Sequence, residues 1–219
     1  IDVVDMLQHM AQDKQVELKF AHWLPEQHPL AKLGFIPWAK SVEAASKGSI
    51  KVTIYPAQQL GKAPNHYDMA RDGIADVTWA NPGYQADRFP IFGVSELPFQ
   101  FSSPGAGSKA LDAWYRAYAA REMKDVKFCF AHIHIGALHS KKPITEPEQI
   151  KGMKIRPAHG TMAQYVSLLG GTSVQVSAPE ARDALEKGVA DAITFPWHSI
   201  ITFGIDKVVK YHTDMRLYA

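Results

Sequence analysis

Apolar positions along the 219-residue chain change period several times, and each change predicts an element. Val16 to His22 alternates as a strand. Trp23 to Pro29 reads as a loop, with Pro25 and Pro29 as breakers. Leu33, Ile36, Ala39, Val42 and Ala45 recur at helical spacing, so Leu30 to Ser46 predicts a helix that Pro37 kinks or starts and Gly48 ends. Ile50 to Tyr55 alternates again, Tyr67 to Arg71 reads as a helix before Gly73, and Ile74 to Trp79 is a third strand before the Asn81-Pro82-Gly83 turn. Strand, helix, strand, helix, strand predicts an α/β lobe.

Phe89 to Ser103 lacks a period and reads as a packed loop. Lys109 to Lys124 predicts a helix whose Trp114, Tyr115 and Tyr118 are expected in the core. Val126 to Ile135 is a strongly apolar candidate strand. Beyond it come a short helix at Pro147 to Ile150, a strand tip at Lys154 to Arg156, and a helix at Thr161 to Leu169 with Thr161 as cap. A short strand at Val174 to Val176, a helix at Ala178 to Glu186 and a strand at Val189 to Phe195 follow. The first fifteen residues are polar and predict fraying or a short helix.

One segment echoes another. Gly73-Ile74-Ala75-Asp76-Val77-Thr78-Trp79 resembles Gly188-Val189-Ala190-Asp191-Ala192-Ile193-Thr194-Phe195. Each copy follows a predicted helix and ends on an aromatic residue near a proline. The offset is too long for a solenoid and suits two similar lobes. In open α/β sheets ligands bind beyond the strand carboxyl ends, so both aromatic ends are expected to face a cleft.

Composition narrows the function. Lys and Arg number 24 against 22 Asp and Glu, a net charge of +2 that does not favour nucleic acid as the main partner. A single cysteine, Cys129, excludes an intramolecular disulfide and a cysteine-rich zinc site. No apolar run reaches about eighteen residues, the length a spanning helix needs. The chain opens on Ile1 rather than Met, which suits a processed product or a piece of a longer chain.

Enzyme motifs are scarce: no G-x-S-x-G, H-E-x-x-H, Walker loop or G-x-G-x-x-G occurs. Without a nucleophile and base arrangement, the chain is not expected to be an enzyme. His132, His134 and His139 could offer three metal nitrogens, but no carboxylate completes a set, so no metal or cofactor is expected. Lys141-Lys142 reads as a solvated pair. Arg156 is the leading polar candidate: at a strand tip before Pro157, its planar fork can pair bidentately with a carboxylate. Trp23, Trp79, Tyr84, Phe195 and Trp197 all fall at or just after strand ends and suit the walls of an apolar pocket. His22, Asn81 and His134 are candidates for hydrogen bonds to a ligand there.

Five segments carry a resemblance: Leu18-Lys19-Phe20-Ala21-His22, Ile50 to Gly61, Asp72-Gly73-Ile74-Ala75-Asp76, Lys142 to Arg156, and Leu185 to Trp197. In order and spacing the chain resembles the solute-binding proteins of TRAP (tripartite ATP-independent) transporters, the DctP-like dicarboxylate-binding family. The resemblance implies a two-lobed α/β periplasmic solute-binding fold, each lobe a sheet flanked by helices, with the ligand cleft at the hinge. It places the first lobe at residues 1–125 plus about 213–219 and the second at 126–212. It implies transport of a small organic acid to membrane permease subunits, a location in the periplasm, a removed signal peptide, and Arg156 as the clamp on the ligand carboxylate. No insertion in the membrane is implied.

Two departures bear on the ligand. Phe195 stands where sialic-acid-binding members carry asparagine, and near Gly136, where they carry a second arginine, none occurs. A monocarboxylate is therefore expected: a 2-oxo, 2-hydroxy or aromatic acid. The alternative is a metal-chelated or more apolar acid held by His22, His132, His134 or His139. Family members also continue beyond this point, so the chain is expected to be truncated at its C-terminus.

Overall fold

A computed structural model describes residues 15–219. The chain forms two compact units, one reaching to Ala80 and the other spanning Asn81–Ala219. The boundary expected near residue 125 falls inside the second unit.

The first unit carries a parallel three-stranded sheet in the order β2-β1-β3. Its strands are β1 (Val16–Ala21), β2 (Ile50–Tyr55) and β3 (Val77–Thr78). The predicted helix divides in two. A π-helical turn at Ala31–Phe35 leads into α1 (Ile36–Ala45), with Pro37 in its first turn, where its missing N–H costs nothing. The second helix, α2, is His66–Arg71. The third strand is shorter than expected because the Ile74 N–H turns back to the Met69 carbonyl and closes the helix instead. Ala21, Met69 and Ala75 form a buried cluster behind the sheet.

The second unit holds a mixed five-stranded sheet in the order β6-β5-β7-β4-β8. In chain order its strands are β4 (Gly136–Ser140), β5 (Lys154–Arg156), β6 (Thr172–Ser173), β7 (Ala192–Pro196) and β8 (Tyr211–Tyr218). Strands β5, β6 and β7 run parallel, and β4 is antiparallel to both β7 and β8. Residues 211–218 are thus bonded into this sheet, whereas the resemblance sends the chain back to the first lobe near residue 213. The helices are α3 (Pro104–Glu122), α4 (Gly160–Leu168) and α5 (Ala181–Glu186). Leu138, Ile155, Met162, Val166 and Ala192 fill the core between sheet and helix. Losing the Ile155 or Met162 side chain there would cost about 2–5 kcal/mol.

Val126 to Ile135 forms no strand. Its backbone is satisfied by side chains of α3 instead of a ladder: the Ala131 N–H donates to Asp112, the Ile133 N–H to Ser108, and the Arg116 guanidinium donates to the Cys129 carbonyl. Apolar alternation here marks packing against a helix. Phe89 to Ser103, read as a loop, contains helical turns at Pro90–Gly93 and Val94–Glu96. Of the three aromatic residues of α3, Tyr115 is buried, while Trp114 and Tyr118 stand at the surface.

The echo between the two segments is structural. Gly73 and Gly188 both adopt left-handed backbone after a helix, with φ of +70° and +68°. Asp76 then bonds twice to Lys19, its carboxylate accepting from the Lys19 N–H at 2.8 Å and its own N–H reaching the Lys19 carbonyl at 3.0 Å. Asp191 does the same to Lys154, at 2.9 Å and 2.7 Å. One device therefore sets a parallel strand beside its neighbour in both units, and in the second unit that neighbour is the strand carrying Arg156.

Candidate functional site

Arg156 ends β5, flanked by β6 and β7, with Ile155 fully buried beside it. Pro157 follows and offers no N–H, so the ladder stops there. The Ala158 N–H instead donates to the Thr194 hydroxyl at 2.8 Å.

The guanidinium is only 1% exposed. Its Nε–H donates to the Val176 carbonyl at 2.9 Å and Nη1 to the Thr194 carbonyl at 3.3 Å, while Nη2 lies 3.4 Å from the Tyr84 hydroxyl. The cation sits over the Phe195 ring, 5.6 Å from its centre, in a cation–π contact. A guanidinium carries five N–H donors. These three bonds leave two unused, and no carboxylate pairs with Arg156 among the described residues. A buried charge without a counter-charge is unfavourable by several kcal/mol. Such an arrangement can accept an anion.

Tyr84 is held by local capping. Asn81 Oδ1 accepts from the Gly83 N–H at 3.0 Å and so starts the turn Pro82–Gln85 that carries Tyr84. The Tyr84 hydroxyl also accepts from the Ala178 N–H at 2.9 Å. Asn81, expected as a ligand contact, therefore acts here as the cap that positions Tyr84.

Phe195 is buried beneath the guanidinium, whereas Trp197 is 44% exposed. The Trp197 indole donates to Asp214 at 3.2 Å and packs against His139 and His212. Trp197, His134 and Gly136 line an open cavity of about 340 Å³ together with His198, Asp214 and Arg216.

His134 lies between His132, which it meets edge-on, and His198, to which it is tilted, with ring centres 4.7 and 4.5 Å away. Burial, and then the His198 charge, lower the His132 pKa to about 4. His139 is engaged elsewhere. Its Nε2–H donates to the Phe195 carbonyl at 2.9 Å, so in the neutral ring Nδ1 is the acceptor for His212 Nδ1–H at 2.8 Å. Among the described residues no three His, Cys, Asp or Glu side chains are grouped to hold a metal ion. Lys141, read as solvated, donates to the Leu185 carbonyl.

In the first unit, His22, Trp23 and Trp79 meet at the carboxyl ends of β1 and β3. Trp23 and Trp79 lie 4.5 Å apart, and Phe35 contacts both His22 and Trp79. Burial, followed by the His66 charge, lowers the His22 pKa to about 4, which keeps the ring neutral.

Sequence reasoning missed Thr194, Val176 and Tyr218. Two of them act on Arg156 through backbone carbonyls that no residue type announces. It also missed the buried pair Glu96 and His159. His159, not Thr161, caps α4 by accepting the Met162 N–H, and the Thr161 hydroxyl donates to Glu96.

Comparison with known proteins identifies the family. A marine metagenome TRAP solute-binding protein specific for aromatic acid ligands, solved with 3-hydroxybenzoate, matches with a TM-score of 0.88 and 35% identity over 94% of this chain and 66% of that one. A TRAP solute-binding protein from Rhodoferax ferrireducens, solved with copurified benzoate, matches with a TM-score of 0.86 and 33% identity over 90% of this chain and 62% of that one. A curated solute-binding protein of Albidiferax ferrireducens is 28% identical over 82% of this chain and 54% of its own length. The chain thus spans little more than half of that relative. No described helix is long and apolar enough to cross a membrane. The family model for bacterial extracellular solute-binding proteins, family 7 (DctP), matches residues 20–216, and the chain belongs to that family.

Proposed function

We propose that this chain is the solute-binding part of a TRAP transporter. It binds a small organic acid through a clamp between Arg156 and the ligand carboxylate, and delivers it to membrane permease subunits. The observation that carries this reading is Arg156 itself: buried, held on two sides by carbonyls, unpaired with any described carboxylate, and retaining two N–H donors. A carboxylate supplies the missing charge and accepts both N–H bonds in one plane.

An aromatic monocarboxylate fits best. The wall under Arg156 is the Phe195 ring, and the similar solved proteins hold 3-hydroxybenzoate, benzoate and mandelate. Tyr84, Trp197, His134, His22, Trp23 and Trp79 are proposed as further ligand contacts, with Asn81 acting through Tyr84. The division into lobes at residue 125, the location in the periplasm and a removed signal peptide belong to the same proposal. A metal-chelated acid held by histidines has less support, because His139 spends both nitrogens on Phe195 and His212.

The test is calorimetric titration of the full chain with benzoate, 3-hydroxybenzoate and mandelate, repeated on Arg156→Ala. Binding without turnover, weakened roughly a hundredfold or more by the substitution, is the expected result. Unchanged affinity in Arg156→Ala sinks the clamp.

A further inference from the structure

Gly83 and Gly160 lie along one seam in which no side chain has room. A Cβ at Gly83 would lie 2.2 Å from Glu96 Oε1 and 2.4 Å from the His159 Cβ. One at Gly160 would lie 2.6 Å from the Ala86 Cβ. Neither residue has left-handed backbone, so glycine serves space here rather than conformation. The seam packs the turn Pro82–Gln85 onto the start of α4. The His159 Cβ moves only with its own backbone, and Glu96 is held by the Thr161 hydroxyl at 3.2 Å. An added methyl would therefore push the turn.

That turn carries Tyr84, and the Tyr84 hydroxyl is a junction. It accepts the Ala178 N–H at 2.9 Å and lies 3.4 Å from Arg156 Nη2. The Arg156 Nε–H reaches the Val176 carbonyl, two positions before Ala178. Guanidinium, residues 176–178 and phenol thus close a ring of hydrogen bonds. The phenol fixes the plane of the fork, on which a bidentate pair with a carboxylate depends. His159 and Gly160, which form one lip of the seam, follow Arg156 by three and four positions in the chain. One short segment therefore supplies both the cation and the seat of its hydroxyl partner.

We propose that Gly83 and Gly160 are positioning residues of the acid site: the bare seam seats the Tyr84 turn, so that the phenol holds the Arg156 fork in the plane a ligand carboxylate needs. The proposal rests on the carboxylate-clamp reading of Arg156. Both glycines act through Tyr84.

The first measurement needs no ligand. Amide hydrogen exchange at Ala178 in the full chain reports the bond to Tyr84. Gly83→Ala should speed it about tenfold, as Tyr84→Phe does by removing the acceptor. Gly160→Ala should act in the same direction and serves where Gly83→Ala does not fold. Adding Ala86→Gly to Gly160→Ala removes the methyl that it strikes, and should restore the wild-type rate. Calorimetry with benzoate then reads the fork. Gly83→Ala should weaken binding about tenfold, and adding it to Tyr84→Phe should weaken binding no further. A glycine needed only for folding would show its loss in both backgrounds. Unchanged Ala178 exchange in a cooperatively melting Gly83→Ala or Gly160→Ala overturns the proposal, as do additive losses of affinity. Wild type that refuses benzoate fails the acid reading instead, and the exchange rates still decide whether the seam seats Tyr84.

Discussion

Glu96 and His159 meet with both side chains only 4% exposed, the carboxyl Oε2 lying 3.3 Å from the imidazole Nδ1. That nitrogen already accepts the Met162 N–H, so it carries no proton to give to Glu96, whose Oε2 accepts from the Thr161 hydroxyl instead. The electrostatics agree. Burial pushes Glu96 up to about 7, and burial followed by the Arg156 charge pushes His159 down to about 3. Below pH 7 this is a neutral acid beside a neutral ring, and it then sets no countercharge against Arg156.

Stability should rise from the acid side and level off near pH 7. Glu96 is raised above its ordinary value of 4.5, so its contribution is complete below that pH and is lost as pH climbs through 7. His22, His132 and His139 are lowered to about 4 and His159 to about 3, against an ordinary 6.5. The unfolded chain takes up those protons below 6.5 while the folded chain refuses them, so stability falls on acidification towards 4. Four histidines oppose one carboxyl over the same range, so the net effect is a rise in stability with pH up to about 7. Urea melts from pH 5 to 8 check this. Glu96→Gln should steepen the acid limb, because it removes the one group that opposes the histidines there, whereas a flat profile between pH 5 and 6.5 would contradict the buried neutral histidines.

A clamp and a structural arginine differ in what their removal does to the empty protein. If Arg156 is kept for a ligand, its unpaired buried charge is a standing cost, and Arg156→Met removes it while retaining volume. The ligand-free protein should then melt no lower than wild type, and binding should be lost. Loss of about 2 kcal/mol or more in the absence of ligand would mean that the bonds to Val176 and Thr194 matter more than the charge. Arg156→Lys separates charge from shape. It keeps the cation but not the fork, and should recover only part of the affinity.

Much of this was legible along the chain. Strand β2 was legible at its exact limits because Ile50, Val52 and Ile54 alternate cleanly, and β5 because Ile155 stands between two long cations. Arg156 stood out by position. The surroundings of Arg156 were hidden, because carbonyls of Val176 and Thr194 carry no side-chain signature and Tyr218 lies 62 positions away, on a strand the period did not mark. Val126 to Ile135 misled because an apolar stripe looks alike whether its backbone is bonded to a strand or to Asp112 and Ser108 on a helix. Asn81 was legible as a polar group at a strand end, but not the turn that its Oδ1 caps.

The repeated glycine–aspartate device makes the last prediction, and the two units test each other. Asp191 is half-buried and Asp76 is exposed, but each carboxylate accepts the N–H of a lysine in the neighbouring strand. A carboxylate on a backbone N–H is a charge-assisted bond, and its loss leaves that N–H wanting a partner. Asp191→Ala should destabilise by about 1–2 kcal/mol and Asp76→Ala by less, since water replaces the exposed carboxylate more readily. Gly73→Ala and Gly188→Ala should each cost about 1 kcal/mol, because both positions hold left-handed backbone with nothing within 4 Å of the added methyl. Space is not the obstacle there; only the backbone angle is. Asp191 also fixes the strand that ends at Arg156, so Asp191→Ala should weaken acid binding while Asp76→Ala leaves the Arg156 strand untouched. Equal effects of the two aspartates on binding, measured by calorimetry with benzoate, would show that the Asp191 bond does not govern where Arg156 is held.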